Sequence, residues 1–227
     1  MAKKLTRKEL LKEPDEFLTF SAKMMQFFTQ YKIQVLAGLG TLFAVIIIVS
    51  GIRYFSNKAD NDAFAAMRDN MGKYEELMKD NDPKKAYQGV KDGFESFLSQ
   101  HSGRTAGKLG RAMFANICYD AGEINKAIEL YEKALSDFTY NPSLKAMILN
   151  GLAYAYEANK NYDKALSSFE SIVSEPDAPM KGESLFNVAR LYAKKGDAAK
   201  SAEAYKKITA EYGDSVYIQI AKEKTSG

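Results

Sequence analysis

The segment FANICYDAGEINKAIELYEKAL, residues 114–135, decides how this chain folds, because it recurs twice more along the sequence. The second copy is LAYAYEANKNYDKALSSFESIV at residues 152–173, and the third is VARLYAKKGDAAKSAEAYKKIT at residues 188–209. The copies align without gaps at spacings of 38 and 36 residues. A fixed period of this length indicates a stack of similar supersecondary units.

Each copy has the pattern of two antiparallel helices joined by a tight turn. The small residues of the first helix, which let the partner helix approach closely, are Ala115, Ala153 and Ala189. The aromatic residues of the second helix, which fill the space beside them, are Tyr131, Phe169 and Tyr205. Gly122 and Gly196 stand at the turn, where a helix end often needs a left-handed residue, and Lys160 takes that place in the second copy.

The residues on either side of the copies predict helices that cover the ends of the stack. Residues 64–78, FAAMRDNMGKYEELM, place apolar side chains on one helix face, and Pro83 can open a further helix that continues through residues 86–103. After the third copy, Asp214 or Ser215 can cap a short C-terminal helix. Such covers are expected because a solenoid unit cannot bury its own apolar face.

The stretch Ile33–Ile52 predicts a membrane helix. Twelve of its twenty residues are Ile, Val, Leu or Phe, and only Gln34 is strongly polar. A helix of this length spans about 30 Å, which is the hydrocarbon thickness of a bilayer. A buried core helix is rarely apolar on all sides over this length. We therefore expect all-α architecture: a single N-terminal transmembrane helix followed by an α-solenoid of helix pairs.

A cleaved signal peptide is the main alternative for this stretch. Signal peptides carry an apolar run of about 7–15 residues close to the N-terminus. Here 32 residues precede the run, and the small-x-small site Ala63-Phe64-Ala65 lies eleven residues beyond Ile52. These distances favour an uncleaved anchor.

The distribution of basic residues predicts the orientation of the anchor. Residues 1–32 contain seven Lys and Arg, whereas residues 53–72 contain three. By the positive-inside rule, the N-terminus stays in the cytoplasm and the C-terminal region is exported. In a bacterium with two membranes, this arrangement corresponds to a single-pass inner-membrane protein with a periplasmic domain.

The segment before the anchor predicts an amphipathic helix. Pro14-Asp15-Glu16 is typical of a helix start. The large apolar residues that follow, mostly three or four apart, are Phe17, Phe20, Met24, Phe27, Phe28 and Tyr31. Two interpretations stay open: an interfacial helix or docking face for another membrane protein, or aromatic residues that mark the headgroup level where the helix enters the lipid.

The composition argues against catalysis and against nucleic-acid binding. The net charge is only +3, which is too small for a binder held by bulk charge. His101 is the only histidine and lies in a predicted turn, so zinc sites and His-based acid–base chemistry lack support. Cys118, the only cysteine, occupies an inward repeat position and is expected to be a small core residue. We predict a protein that is not an enzyme, without cofactor or metal.

The small, aromatic and turn positions of the three copies resemble the tetratricopeptide repeat. The match departs from it in lacking Trp, in a period longer than about 34 residues, and in the loose placement of Pro142, Pro176 and Pro179. The resemblance implies that the first helices of the units line a groove. The groove positions it implies are Asn116, Tyr119, Asp120, Met147, Asn150, Tyr154, Glu157, Phe186, Arg190 and Lys194. This mixed set suits a peptide or a partner helix better than a small anion, although Tyr154 and Phe186 can also pack within the stack.

The order of the elements resembles the ancillary SecYEG translocon subunit family (YfgM type). The features that carry this resemblance are a short tail, one anchor followed directly by RYFSNKADNDA at residues 53–63, a degenerate helix pair and about three repeats. The resemblance implies a bacterial inner-membrane protein that contacts a SecYEG-type translocon and periplasmic chaperones or exported chains. The aromatic-rich tail is longer than is typical of the family.

These patterns predict four regions. Residues 1–32 form a cytoplasmic tail with an amphipathic helix, residues 33–54 the transmembrane helix, residues 55–107 a juxtamembrane segment and degenerate helix pair, and residues 108–227 three tetratricopeptide-like repeats with a C-terminal capping helix. The expected function is a non-catalytic, membrane-anchored protein–protein interaction module near the Sec translocon. The alternative is a membrane-tethered scaffold for envelope assembly or cell division.

Overall fold

The computed structural model describes residues 16–225, with side chains from residue 19 onward. The predicted helix start at Pro14-Asp15 lies outside the described residues. The described part holds ten α-helices and is all-α, as predicted. Their bounds are α1 Glu16–Gln30, α2 Lys32–Met78, α3 Pro83–His101, α4 Thr105–Asp120, α5 Ile124–Asp137, α6 Pro142–Ala158, α7 Tyr162–Ser174, α8 Lys181–Lys194, α9 Ala198–Glu211 and α10 Ile218–Thr225.

The chain divides into two compact units, Met1–Lys58 and Ala59–Gly227. In the first unit, the apolar part of α2 is exposed along its length, and none of its most apolar window is buried by residues 16–225. This exposure argues against a core helix. By length and composition alone, α2 could cross a membrane, and it is the one helix of residues 16–225 that could do so.

The second unit is a run of helix pairs, in which each helix from α3 to α10 packs against the next along the chain. The pairs α4–α5, α6–α7 and α8–α9 correspond to the three sequence copies, so the predicted repeat is confirmed. The first of these pairs begins at Thr105, inside the segment predicted to precede the repeats. The part of α2 after Lys58 packs its apolar face, with Ala63 fully buried, on the core beside α3. The short helix α10 packs on α9 at the other end.

Four helices of this unit begin at a side-chain cap. Asp82 accepts a hydrogen bond from the Lys85 backbone N–H at 2.9 Å, directly before Pro83 opens α3 as predicted. The caps of the other three helices, each accepting from an N–H three residues later, are Asn141, Asn161 and Asp197. These caps satisfy backbone donors that a helix start leaves unpaired.

The core of the second unit is built from the repeated positions. Ala115, Ala153 and Ala189 are completely buried, and the aromatic residues beside them, Tyr131, Phe169 and Tyr205, are at most 7% exposed. Position 151 also has no room for a side chain, because a Cβ on Gly151 would lie 2.6 Å from the Tyr131 ring. The small residues therefore set how closely successive helices approach.

The turns inside the pairs use the left-handed conformation that was predicted for them. Gly122 and Gly196 have φ of +83° and +85°, and Lys160 has φ of +60° at the equivalent turn. Glycine adopts this conformation without steric cost, whereas a side chain such as that of Lys160 disfavours it. The predicted turn position of His101 was wrong: this residue is the last of α3, and its ring packs 5.4 Å from that of Phe97.

Candidate functional site

The candidate site is the surface that α4, α6 and α8 present on the side away from the second helices, which we call the first-helix face. All ten predicted groove residues lie on these three helices. The face has two parts with different contacts. The open half consists of α4 and residues 142–150 of α6. The closed half consists of residues 151–158 of α6 together with α8.

The closed half holds a continuous polar network between α6 and α8. Both oxygens of Glu157 accept hydrogen bonds from the Arg190 guanidinium at 2.6 Å, and the Lys194 ammonium lies 3.3 Å from one of them. Arg190 also donates to Asn187 Oδ1 at 2.9 Å. The predicted residues Glu157, Arg190 and Lys194 are thus brought together, but they bind one another. A bidentate ion pair between a guanidinium and a carboxylate is strong and directional.

A second set of bonds extends the network along α8. The Asn187 amide donates to the Tyr154 hydroxyl oxygen at 2.9 Å, and the Tyr154 hydroxyl donates to Glu183 Oε1 at 3.1 Å. Asn187 is 3% exposed, so these bonds satisfy a polar group inside the unit. The Tyr154 ring also packs edge-on against the buried Phe169 ring at 5.4 Å. Tyr154 therefore acts as a packing residue within the stack.

Phe186 is covered by the C-terminal segment. The Tyr217 ring stacks on the Phe186 ring at 4.3 Å with an interplanar angle of 15°, and Tyr205 contacts the Phe186 ring at 6.2 Å. Phe186 is half-buried as a result. This contact leaves the closed half with little free apolar surface on α8.

The pairing of Glu157 with Arg190 keeps both side chains of this part of the closed half ionised. The hydrogen bonds from Arg190 lower the pKa of the Glu157 carboxyl, although partial burial opposes them. The same pairing raises the pKa of Arg190. Glu157 is therefore ionised at neutral pH and is already engaged.

The open half contains an apolar depression between α4 and α6. Its volume is about 150 Å³, which is comparable to cavities that hold one benzene molecule. Met147, a predicted groove residue, stands at its wall with 60% of its surface exposed. The depression is lined by Leu109, Ala112, Met113, Asn116, Tyr131, Phe138, Leu144, Met147 and Ile148.

The open half carries one polar residue in the lining of this depression, Asn116, whereas Asp120 and Asn150 lie outside the lining. The Tyr131 hydroxyl donates to Asn116 Oδ1. Asn150 Oδ1 is buried and has no hydrogen-bond partner within residues 16–225. Asp120 is exposed and forms no ion pair with the residues that the structure describes. Neighbouring side chains partly shield the Asp120 carboxyl from water and so raise its pKa.

Tyr119 of α4 lies near a carboxylate of each half. It is half-buried against the core, and burial raises the pKa of its hydroxyl, with further contributions from Asp120 and Glu157. Asp120 and Glu157, at the C-terminal ends of α4 and α6, therefore both act on the Tyr119 hydroxyl. Since Arg190 and Lys194 pair with Glu157, the negative charge at this end that lacks an ion pair among the described residues is that of Asp120.

The opposite side of the unit carries a repeated contact at two junctions between units. The Tyr192 hydroxyl donates to Glu170 at 2.7 Å, and Lys200 lies 5.2 Å from the centre of the Tyr192 ring. Tyr156, Glu132 and Lys164 repeat this arrangement one unit earlier, with Lys164 4.9 Å from the ring centre. The depressions at these junctions are larger, about 340 and 380 Å³, but their polar groups are already paired.

Cys118 takes the place of this tyrosine in the first repeat pair. It is completely buried, and burial raises the pKa of its thiol to about 12. The thiolate, which is the nucleophilic form, is therefore scarcely populated near neutral pH. Its environment is that of a core residue, as predicted. Within residues 16–225, no group of three His, Cys, Asp or Glu side chains could hold a metal ion.

Sequence reasoning missed several residues of the face. Glu183 and Asn187 complete the network of the closed half, and both lie on the turns of α8 that precede Arg190. Leu109 and Ala112 stand seven and four residues before Asn116, which is the spacing of one helix face and could have identified them. Phe138 and Leu144 flank the loop between units, where helix periodicity gives no signal.

Comparison with known proteins supports the repeat architecture. Residues 25–220 match the family described as tetratricopeptide repeat-like domain. No curated protein matches the chain significantly.

Two solved structures illustrate the likeness of fold. A tetratricopeptide repeat protein from Parabacteroides merdae superposes with a TM-score of 0.57 at 17% identity, over 71% of this chain and 59% of that one. The chain thus spans less than two thirds of that protein. A Podosopora anserina protein described as a kinesin light chain with nearly identical TPR-like repeats gives a TM-score of 0.56 at 15% identity, over 70% of this chain and 83% of that one.

At these identities, the likeness establishes the fold alone. The repeated core, the paired helices and the family match together show that this chain belongs to the tetratricopeptide repeat-like domain family.

Proposed function

We propose that this chain is a non-catalytic, membrane-anchored module that binds protein segments on the open half of its first-helix face. Its anchor is the apolar part of α2, residues 33–54, in a bacterial inner membrane. Its N-terminus is cytoplasmic and its repeat region periplasmic. Its partners are a SecYEG-type translocon and the periplasmic chaperones or exported chains found near it.

The anchor is supported by the exposure of α2 and by the residues at its two ends. Among the residues that the structure describes, none buries the large apolar side chains of Ile33–Ile52. Tyr54 and Phe55, which follow them, are 66% and 70% exposed, and Phe27, Phe28 and Tyr31 precede them. Aromatic residues concentrate at both interfaces of a bilayer, so their placement fits a spanning helix. A tether of this kind raises the effective concentration of the repeat region near membrane-bound partners.

The observation that carries the binding site is the open apolar depression with the exposed Met147 at its wall. An apolar side chain of a partner can enter the space beside Met147. Asp120 adds a negative charge at the end of the same surface. These groups favour an extended or helical segment with one large apolar side chain and a basic residue near it. Central apolar anchors within a polar rim are typical of binding hot spots.

The test is crosslinking in native membranes followed by identification of the recovered proteins. We expect the wild-type chain and the control Lys133→Glu, at an exposed position of α5, to recover translocon subunits or exported chains. Met147→Glu should lose most of this recovery, because a charge at the depression cannot be buried without cost.

Three outcomes would decide against parts of the proposal. Absence of translocon subunits from wild-type membranes would remove the Sec association. Recovery of division or envelope-assembly proteins would favour the scaffold function instead. A mature chain found free in the soluble fraction without its first sixty or so residues would remove the tether.

A further inference from the structure

The helix α1 carries an aromatic face that nothing in the repeat-based function explains. The large apolar residues Phe20, Met24, Phe27, Phe28 and Tyr31 follow the spacing i, i+4, i+7, i+8 and i+11, which is one helix face. They are 40–63% exposed. The rings form a cluster, with Phe27 5.0 Å from Tyr31 and 6.0 Å from Phe28.

Apart from Met25, which is 70% exposed, the other side of α1 is polar or small. Ala22, Lys23, Gln26, Thr29 and Gln30 lie away from the aromatic residues by the same periodicity. A helix with one aromatic face and one polar, partly basic face is suited to the boundary between lipid headgroups and acyl chains. It is not suited to crossing the hydrocarbon core, because its polar face would lose water.

The position of α1, directly before the apolar stretch, indicates that its aromatic face meets the surface of the bilayer. α1 ends at Gln30, and the apolar stretch begins at Ile33, so only Tyr31 and Lys32 separate them. If Ile33–Ile52 spans a bilayer, α1 is held at its surface. The Thr29 hydroxyl bonds back to the carbonyl oxygens of Met25 and Gln26 just before this junction. Backbone hydrogen bonds from Tyr31 to Phe27 and from Val35 to Tyr31, both 2.9 Å, continue the helical ladder through this junction. α1 therefore inclines relative to the apolar stretch only by a bend, which back-bonding of this kind often produces.

The excess of basic residues in the tail indicates that the lipids it meets are anionic. Residues 1–32 contain seven Lys and Arg against four Asp and Glu. A basic segment beside a membrane helix is attracted to a leaflet that contains anionic lipids. The aromatic face and the basic charge therefore act on the same surface.

We infer that α1 binds the headgroup region of an anionic bilayer through its Phe20–Tyr31 aromatic face, on the side of the membrane that holds residues 1–32. This inference rests on the proposed membrane anchor. It adds a second lipid contact, distinct from the spanning helix, which orients the chain at the surface.

The chain contains no tryptophan, so single tryptophans report each surface without background. We would place the full chain in vesicles of mixed phosphatidylcholine and phosphatidylglycerol and compare three variants. Phe27→Trp probes the aromatic face, Ala22→Trp is the matched control on the polar face, and Phe43→Trp probes the spanning stretch. Quenching would be measured with lipids brominated near the headgroup, with lipids brominated deep in the chains, and with aqueous acrylamide.

The expected result is a different quencher for each variant. Shallow bromines should quench Phe27→Trp about threefold more than Ala22→Trp, acrylamide should reverse that order, and deep bromines should quench Phe43→Trp. Replacing phosphatidylglycerol by phosphatidylcholine should weaken the shallow quenching of Phe27→Trp.

Each contrary result has a distinct meaning. Equal access of acrylamide to Phe27→Trp and Ala22→Trp, with Phe43→Trp still quenched by lipid, would overturn the inference and leave the anchor intact. Shielding of Phe27→Trp from both acrylamide and bromines would show that protein covers the face and would also overturn it. Lack of lipid quenching at Phe43→Trp would refute the anchor itself and the inference with it.

Discussion

The open and closed halves of the first-helix face share one repeated core but differ in what their polar groups contact. In the closed half, Arg190 bonds to Glu157, and Asn187 links Arg190 to Tyr154. In the open half, Asp120 and Asn150 Oδ1 have no such partners among the described residues, and Met147 borders an empty depression.

If the open half binds partners as proposed, the repeat stack assigns stability and binding to separate parts of one surface. Groups that pair across α6 and α8 hold two units together and are not available to a ligand. Groups that stay unpaired cost stability when partly buried, and such sites are where function tends to lie. The comparison predicts that substitutions in the closed half change stability, whereas those in the open half change binding.

The largest effect is expected in the core beneath the closed half. Phe169 is completely buried under Tyr154, so Phe169→Ala should lower the free energy of unfolding by about 3–5 kcal/mol. Urea unfolding of the full chain in detergent, followed by circular dichroism, measures this change. Phe169→Leu is the control and should lose less than half as much. A loss below about 1 kcal/mol for the alanine variant would contradict the packing described here.

The next effect is expected from the paired charges. Arg190→Ala removes the two guanidinium hydrogen bonds from the Glu157 carboxylate, whose side chain is only 15% exposed. The free energy of unfolding should fall by about 1–2 kcal/mol, and not more, because Lys194 remains nearby. Lys194→Ala is the matched control and should cost less than about 0.5 kcal/mol. The same unfolding experiment decides between them. Equal costs for the two variants would show that the bidentate ion pair does not hold the closed half together.

The two halves should also respond oppositely to acid. The pKa of Glu157 is lowered below its ordinary value of 4.5, so its contribution to stability is complete above that pH and is lost as the pH falls through the lowered pKa. The pKa of Asp120 is raised above 3.8, so Asp120 destabilises the fold at neutral pH and stops doing so as the pH falls through the raised pKa.

This opposition is measured by comparing unfolding midpoints of Glu157→Gln and Asp120→Asn between neutral and acidic pH. The small stabilisation by Asp120→Asn should disappear first on acidification, and the destabilisation by Glu157→Gln should disappear at lower pH. The reverse order would contradict the pairing of Glu157 with Arg190.

The smallest change in stability is expected in the open half. Met147 is 60% exposed, so Met147→Glu should alter the free energy of unfolding by less than about 0.5 kcal/mol even where it abolishes partner recovery. A melting curve of the purified chain checks this. A large loss of stability would mean that Met147 supports the stack, and its effect on binding would then be indirect.

The fold could be predicted from the sequence because its core positions require particular residue types. Ala115, Ala153 and Ala189 allow close helix contact, and the aromatic residues opposite them fill the remaining space, so the spacing of both sets predicted the pairs. The positive φ of Gly122 and Gly196 follows from the same pattern. These constraints act within one unit and are visible in one stretch of sequence.

The candidate site could be predicted only in part, because its contacts join different units. Glu183 and Asn187 meet Tyr154 through the offset between α6 and α8, which residue spacing does not determine. The stacking of Tyr217 on Phe186 depends on where the C-terminal segment returns. The predicted groove residues therefore lie on the expected helices, but the sequence did not indicate which of them are already paired.

The most direct test of the division into halves uses a photoreactive amino acid at two exposed positions of the same face, Met147 and Lys194, in native membranes. The open-half account predicts a several-fold higher yield of partner adducts from position 147 than from position 194, at matched expression. Equal yields, or a higher yield from position 194, would contradict it.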